Sequence, residues 1–450
     1  MKKHIYFIIT ILSVGVLFGC EGFLDERPDK SIVVPGTIDD LNLMLDNSEV
    51  LNFVPSMGVF SSDDIYFPTV AYNSLTNAVE RNAYTWQPEI YEGEFPGDWR
   101  SCYQIVYFAN VVLEKALEFL ESDPDNAEIK EIVASARFFR GLGHYNAVSI
   151  FARQYDPAHV GELGIPLKLS QNVLERPVRS TLGESYEQIL MDLEDAVSDL
   201  PDFSAIKTRP SKYAVYGLLS RIYHSMGNYE MSRFYADSVL TGPFSLMDYN
   251  LLNSSILYPF ERYNSEVVFH ASLVHSATFS RVTTLVDTAM YNKYEDGDLR
   301  KSLYFIDRPT GKSFRGQYSG MFRWFGGIAL DEMYLNYAEA SIRLGQVEEG
   351  IEALNELLDH RYLAGTFESY TTESIDDPMS LVIAERRKSL IHRGVNWLDL
   401  KRLNREGFYG RILRRIVDGV EYELLPNDPR YVFPLPMEEV ILNNMEQNPR

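Results

Sequence analysis

Over residues 99–154 apolar side chains recur every three or four positions, as Ile105, Phe108, Val112, Ala116 and Phe119, then Ile132, Ala136, Phe139 and Leu142. That spacing lays one apolar stripe along a helix. Asp123-Pro124-Asp125-Asn126 interrupts it with a breaker and capping residues, so the segment predicts a helical hairpin. Thr181-Leu182-Gly183-Glu184 has the form of a capping box and predicts a helix running to Leu200, where Pro201 stops it. Residues 50–98 and 242–327 lack this periodicity and are rich in Tyr, Pro, Gly and Ser. They predict irregular loops with short strands, such as 266–273.

Two helical segments resemble each other. Lys212-Tyr213-Ala214-Val215-Tyr216-Gly217-Leu218-Leu219-Ser220 leads to Gly227-Asn228-Tyr229, and Met333-Tyr334-Leu335-Asn336-Tyr337-Ala338-Glu339-Ala340 leads to Gly345-Gln346-Val347. Aligned on Gly227 and Gly345, 118 residues apart, Ser220 falls on Ala338, Ser232 on Gly350, Tyr216 on Tyr334 and Leu240 on Leu358. Small residues let paired helices approach closely and glycine ends the first helix, which is tetratricopeptide chemistry. Such units normally follow one another at about 34 residues and bury a core by stacking, so these repeats are interrupted. Loops of this length on a helical scaffold are more often functional than idle.

The first twenty residues have a different pattern. Lys2 and Lys3 precede an apolar run from Ile5 to Phe18, followed by Gly19 and Cys20. This is the layout of a secretory signal, and the run is shorter than the roughly 20 residues that cross a bilayer. Leu17-Phe18-Gly19-Cys20 resembles a bacterial lipobox, so residues 1–19 are expected to be removed and Cys20 to carry lipid. The chain has 2 Cys in all, which leaves Cys102 without an intrachain partner. Removing the signal takes the formal charge from -22 to -24. That balance repels a polyphosphate backbone, and nucleic acid is excluded as an expected partner.

Catalytic and metal motifs fail on inspection. Gly311-Lys312-Ser313 looks like the end of a phosphate-binding loop, but the required earlier glycine is Ile306. Gly141-Leu142-Gly143 lies within a predicted helix and lacks the third glycine of a dinucleotide fingerprint. There is no His-Glu-x-x-His, nucleophile elbow or paired Cys-x-x-Cys, and only 8 His. Glu295-Asp296-Gly297-Asp298 lacks the alternating ligands of a calcium loop and predicts a surface turn. No cofactor or metal is expected.

Read in order, the chain resembles the SusD/RagB family of outer-membrane nutrient-binding lipoproteins. The residues that carry the resemblance are Cys20-Glu21-Gly22-Phe23-Leu24-Asp25 with Pro28; Trp99, Tyr103, Ile105 and Asn110; Ala136-Arg137-Phe138-Phe139-Arg140; Gly164-Ile165-Pro166-Leu167; and Ile189-Leu190-Met191-Asp192-Leu193. The most specific lie towards the C-terminus: Leu330-Asp331-Glu332-Met333-Tyr334-Leu335-Asn336-Tyr337-Ala338-Glu339-Ala340, Glu385-Arg386-Arg387, Asp399-Leu400-Lys401-Arg402, Pro434-Leu435-Pro436 and Gln447-Asn448-Pro449. Ser389, Arg393 and Asn396 stand where the family often has acidic, acidic and basic residues, so an ion-pair network of that helix is expected to be missing.

The resemblance implies a mostly α fold. Four tetratricopeptide-like helix pairs form one side, and an irregular, loop-rich half with short strands packs against them. Residues 20–450 are read as one SusD-like domain, with an N-terminal part, 20–240, and a C-terminal part, 241–450. The implied role is non-enzymatic: capture of a glycan, or in one branch a peptide, for a SusC-like TonB-dependent transporter, with the protein held on the outer membrane by lipid and facing the cell surface. Two other classes remain open, a tetratricopeptide-type adaptor for a peptide or protein and, least supported, a surface hydrolase.

Sugars present apolar C–H faces and rims of hydroxyls, which aromatic rings and polar neighbours complement. Trp99 and Trp397 match helix positions and are expected in the core. Trp86 and Trp324 lie in the two irregular stretches. Trp86, Tyr91, Tyr318 and Trp324, with Arg323 as a polar neighbour, are therefore the expected ligand contacts.

Overall fold

The structure, a computed structural model, describes residues 35–450. Residues 1–19, read above as a signal, and Cys20 lie outside the described residues. Helices α1 (Gly97–Ser122) and α2 (Ala127–Phe151) form the predicted hairpin, with Asn126 capping α2 through the Ile129 N–H. A Cβ at Gly143 would meet Val106 Cγ2 at 2.7 Å and the Cys102 carbonyl oxygen at 3.0 Å, so the glycine belongs to the α1–α2 contact rather than to a nucleotide loop.

The last carbonyls of α2 have no partners within the helix. All are satisfied from the C-terminal part of the chain. Lys401 Nζ donates to the carbonyls of Ser149 (3.0 Å) and Ala152 (2.8 Å), the Phe433 N–H to Ile150 (3.0 Å) and Asn448 Nδ2 to Phe151 (2.7 Å).

Helix α3 (Leu182–Ala196) opens on the predicted capping box, in which Thr181 and Glu184 cap each other's backbone N–H groups, but it ends at Ala196, short of Leu200. Beyond it, α4 (Lys212–Met226) pairs with α5 (Tyr229–Leu240), and α6 (Leu330–Arg343) with α7 (Val347–Asp359). Gly227 and Gly345 end the first helix of each pair with φ of 78° and 82°, the left-handed region that glycine enters at least cost. Although 118 residues separate these glycines, the two pairs stack directly. Asn336 Nδ2 donates to Ser220 Oγ (3.0 Å), Ser220 Oγ donates to the Ser232 carbonyl (3.0 Å), and Arg233 donates to Ser341 Oγ (2.9 Å) and Tyr337 Oη (2.8 Å). The intervening residues loop out of a continuous helical stack, which α8 (Pro378–Ser389) and α9 (Asn396–Leu403) extend.

The irregular stretches hold more structure than expected. Residues 50–98 contain the short helices Met57–Ser61, Thr69–Asn73 and Ala78–Tyr84. The strand expected over 266–273 is two pieces with different partners: Val267–Phe269 runs antiparallel to Ile328–Ala329, and Ser272–Leu273 runs parallel to Phe53–Val54. Gly311-Lys312-Ser313 lies in a β-hairpin, Gly311–Phe314 against Phe305–Arg308.

Two expectations need correction. The ion-pair network around Ser389, Arg393 and Asn396 is present with its polarity exchanged. Arg393 Nη2 donates to both Asp331 oxygens (2.6 and 2.7 Å), Ser389 Oγ accepts from Arg300 Nη1 (2.8 Å), and Asn396 Nδ2 donates to Asp63 (3.0 Å) and Asp64 (2.6 Å). Carboxylates from other elements supply the negative charge. The turn expected over 295–298 forms, closed by the Asp298 N–H on the Glu295 carbonyl (3.2 Å), but it is not wholly at the surface: the Asp298 side chain is buried against Arg300 (2.7 Å), which also contacts Glu385 (2.8 Å).

Candidate ligand-binding face

Burial separates the five expected contact residues from solvent or from one another. Trp324 is 2% exposed. Its indole stacks on Phe279 (4.1 Å between centroids, 15° between planes), and Phe279 stacks in turn on Phe60 (5.0 Å, 10°). His392 covers the other side at 4.3 Å, and burial pulls that imidazole down to about 3, which keeps it neutral.

Trp86 is 1% exposed and sits at φ 51°, a conformation that costs an L-residue about 1 kcal/mol. Its indole N–H donates to the Ser61 carbonyl (2.9 Å), and the Arg415 guanidinium lies over both the Tyr84 ring (3.7 Å) and the Trp86 ring (4.6 Å). Tyr91 donates to the Pro434 carbonyl (2.6 Å). Tyr318 donates to Glu266 Oε2 (3.1 Å) and shares a 2.6 Å hydrogen bond with Tyr249, while Arg393 lies 4.5 Å over its ring. These four rings are buried packing residues of the fold. Outside helices and sheets, flat side chains with one polar atom both fill space and satisfy loose backbone groups.

Arg323 differs. Its side chain is partly exposed, pairs through Nη1 with both oxygens of Glu49 at 2.8 Å and reaches over the Phe53 ring. Immediately beside it Phe322 is 44% exposed, with its ring edge-on to exposed His275 at 5.7 Å. From His275 the chain runs on to Leu285. Buried Glu80 pins this segment by accepting from Ser276 Oγ and Thr278 Oγ1, both at 2.5 Å, and Arg281 Nη1 donates to the Ser74 carbonyl (3.2 Å). At its far end Leu285 exchanges backbone hydrogen bonds with Tyr66 (2.7 and 3.1 Å), whose side chain is 41% exposed.

A face therefore runs along residues 275–285, with Phe322 at one end, Tyr66 at the other, and His275, Arg281, Arg323 and Glu49 around it. The chain just before Tyr66 is charged and hydrogen-bonded, Asn396 Nδ2 donating to both Asp63 and Asp64. Burial raises Asp64 to about 6, and the neighbouring Asp63 adds to this; burial also opposes ionisation of Asp63, yet Arg387 and Arg411 hold it below the usual carboxylate range. Sequence reasoning chose Trp324, which is the buried ring beside Phe322, and passed over Tyr66. Phe322 points out where Trp324 points in, and Tyr66 points out between buried Ile65 and Phe67. Around Tyr66 this is the alternation of an extended chain lying on a core, visible as a two-residue period, whereas Phe322 and Trp324, two positions apart, do not follow it.

Among the described residues no group of three or more His, Cys, Asp or Glu is placed to hold a metal ion, and no helix is long and apolar enough to cross a membrane. Cys102 is buried and free, and burial pushes its thiol well above the usual range, away from thiolate chemistry.

Comparison with known proteins adds the relationship. A SusD-like family model described as starch-binding and associating with the outer membrane matches residues 22–224, and a SusD family model matches 327–450. The chain belongs to the SusD/RagB family. A tetratricopeptide-repeat model matches residues 213–241, the α4–α5 pair. A curated SusD-like protein of Formosa agariphila is 22% identical, across 90% of this chain and 93% of its own. Among solved structures, a SusD superfamily protein of Bacteroides thetaiotaomicron superposes with a TM-score of 0.73 at 22% identity, covering 92% of this chain and all of that one. A laminarin-binding SusD-like protein superposes with a TM-score of 0.62 at 17% identity, covering 91% and 97%. The fold is thus the mostly helical, tetratricopeptide-containing SusD fold. Neither SusD match includes residues 225–326, the stretch that supplies most of the face described above.

Proposed function

We propose that this SusD/RagB protein is a non-enzymatic surface receptor that binds an oligosaccharide across the 275–285 face and passes it to a SusC-like TonB-dependent transporter. The observation that carries the reading is membership of this family together with an exposed aromatic pair, Phe322 and Tyr66, set among polar side chains. Rings of this kind stack on the C–H face of a sugar, while Arg323, Glu49, His275 and Arg281 offer donors and acceptors to its hydroxyls. A laminarin-binding protein and a structure with a xylogluco-oligosaccharide among the fold neighbours support a glycan as cargo. Acylation of Cys20, after removal of residues 1–19, would hold the protein at the outer membrane, where a two-chain anchor is stable and a single chain is marginal.

Affinity gels containing laminarin, xyloglucan and starch test the reading. Phe322→Ala should weaken retention by about tenfold on the retained glycan with the melting temperature unchanged. Trp324→Ala should lower stability by about 3–5 kcal/mol, the cost of emptying a buried aromatic site. Retention of no glycan, or full retention by the Phe322→Ala and Tyr66→Ala double variant, would overturn the assignment of the face. Labelled palmitate should enter the wild type and not Cys20→Ala, and the transporter should co-purify with the lipidated protein. The adaptor reading would gain if a peptide, and no glycan, bound the helical stack.

A further inference from the structure

A second cleft, of about 910 Å³, opens between residues 153–163 and the C-terminal segment and shares no residue with the 275–285 face. Three polar side chains on its wall are buried without full satisfaction. Lys401, 5% exposed, has no carboxylate partner, and only two of its three N–H groups are used, on the α2 carbonyls. Asn404, 2% exposed, accepts the Arg411 N–H at Oδ1 (3.4 Å), while its Nδ2 has no partner. Tyr431, 4% exposed, has no well-formed hydrogen bond at Oη, which lies against the Asn404 side chain. A buried donor left unpaired costs about 1–3 kcal/mol, so two loosely held groups beside a spare Lys401 N–H need a reason.

Charge decides which ligand suits them. Of the four acidic residues on the cleft, Asp156 is paired with Arg405 (3.1 Å), Glu162 with Arg153, and Asp428 with Arg430 (2.7 Å); Glu446 is exposed at the mouth. The C-terminus of α2 opposes Lys401 with about half a negative charge and burial pulls its pKa down to about 7, so the ammonium is in net excess below neutral pH. The inner wall therefore presents donors and a residual positive charge.

We infer that this cleft is a second binding site that takes a carboxylate, with Lys401 Nζ, Asn404 Nδ2 and Tyr431 Oη as its donors. Two sources carry that chemistry, a uronic acid unit of a glycan and the C-terminus of a peptide. The inference does not depend on the 275–285 face.

Calorimetry on the full chain in detergent, with D-glucuronate, glycylglycine and uncharged D-glucose, tests it. At least one carboxylate should bind about tenfold or more tighter than glucose, and which of the two does so identifies the source. Tyr431→Phe keeps the ring that stacks on Trp397 (4.7 Å) and removes only the hydroxyl. It should lower affinity by about three- to tenfold with an unchanged melting temperature. Lys401→Met should lower it further; if that variant does not fold, Tyr431→Phe decides alone. Glucose binding as tightly as glucuronate, no saturable heat with either carboxylate, or wild-type affinity in Tyr431→Phe would overturn the inference.

Discussion

Within and between the α4–α5 and α6–α7 pairs the closest contacts are small: Ser220, Ser232, Ala338 and Gly350 are fully or nearly fully buried, while Asn336, Arg233, Arg221 (on Glu332, 2.7 Å) and His224 (on Glu339, 3.0 Å) cross between the pairs. In the 242–327 stretch the same task falls to large groups. Tyr249, Tyr304 and Tyr318 share hydroxyl contacts around Glu266, and Arg361, entering from beyond α7, donates to both Glu266 oxygens at 2.8 Å with its guanidinium 4.2 Å over the Tyr249 ring. Helices satisfy their own backbone, so their side chains are free to pack closely and to bond one another. Irregular chain does not, and each loose polar group there needs a side-chain partner. An aromatic-rich loop region is therefore evidence first of how loops are held.

Four measurements sharpen or break this contrast. Arg361→Met strands Glu266 in the interior, and urea denaturation should show a loss of about 3–5 kcal/mol; under 1 kcal/mol would mean that the buried pair does not organise the loop region.

Lys401 probes the helical side. Burial pulls its pKa down to about 7 from 10.5. The unfolded chain then binds more protons between those values, so this group makes stability rise with pH from about 7 to about 10, by several kcal/mol, and contributes no slope below about 7. Thermal unfolding across that window should show the rise in wild type and a flatter profile in Lys401→Met.

Gly350→Ala places a Cβ 2.7 Å from the Ala338 carbonyl oxygen, and about 1–3 kcal/mol should be lost if close approach is what the stack requires. The smallest effect belongs to Thr181→Ala, about 1 kcal/mol, since it removes one cap from a helix that is otherwise packed.

The helices were legible because their signals are local. The apolar stripe of 99–154, the Thr181–Glu184 box and the paired glycines at 227 and 345 each lie within a few turns of sequence, and the 118-residue offset survived because its two members carry the same small residues. The face was not legible to the same degree. Whether Trp324 or Phe322 meets solvent depends on Phe279, Phe60 and His392, which arrive from distant segments. Of the five expected contacts, Arg323 is the one that the structure leaves partly exposed, next to Phe322. The exchanged polarity at Arg393 could not be read locally either, because Asp331 lies 62 positions away in sequence.

The capping of α2 by Lys401, Phe433 and Asn448 has a temporal side. The hairpin can form as soon as residue 151 is free of the biosynthetic machinery, but its carbonyl end stays open while the following 297 positions up to Asn448 are still being added. Such a long closure is slow compared with helix formation, so the final step of maturation falls after synthesis of the tail. A chain crossing a membrane before folding thus keeps one end of its largest hairpin unfinished until the last residues have passed.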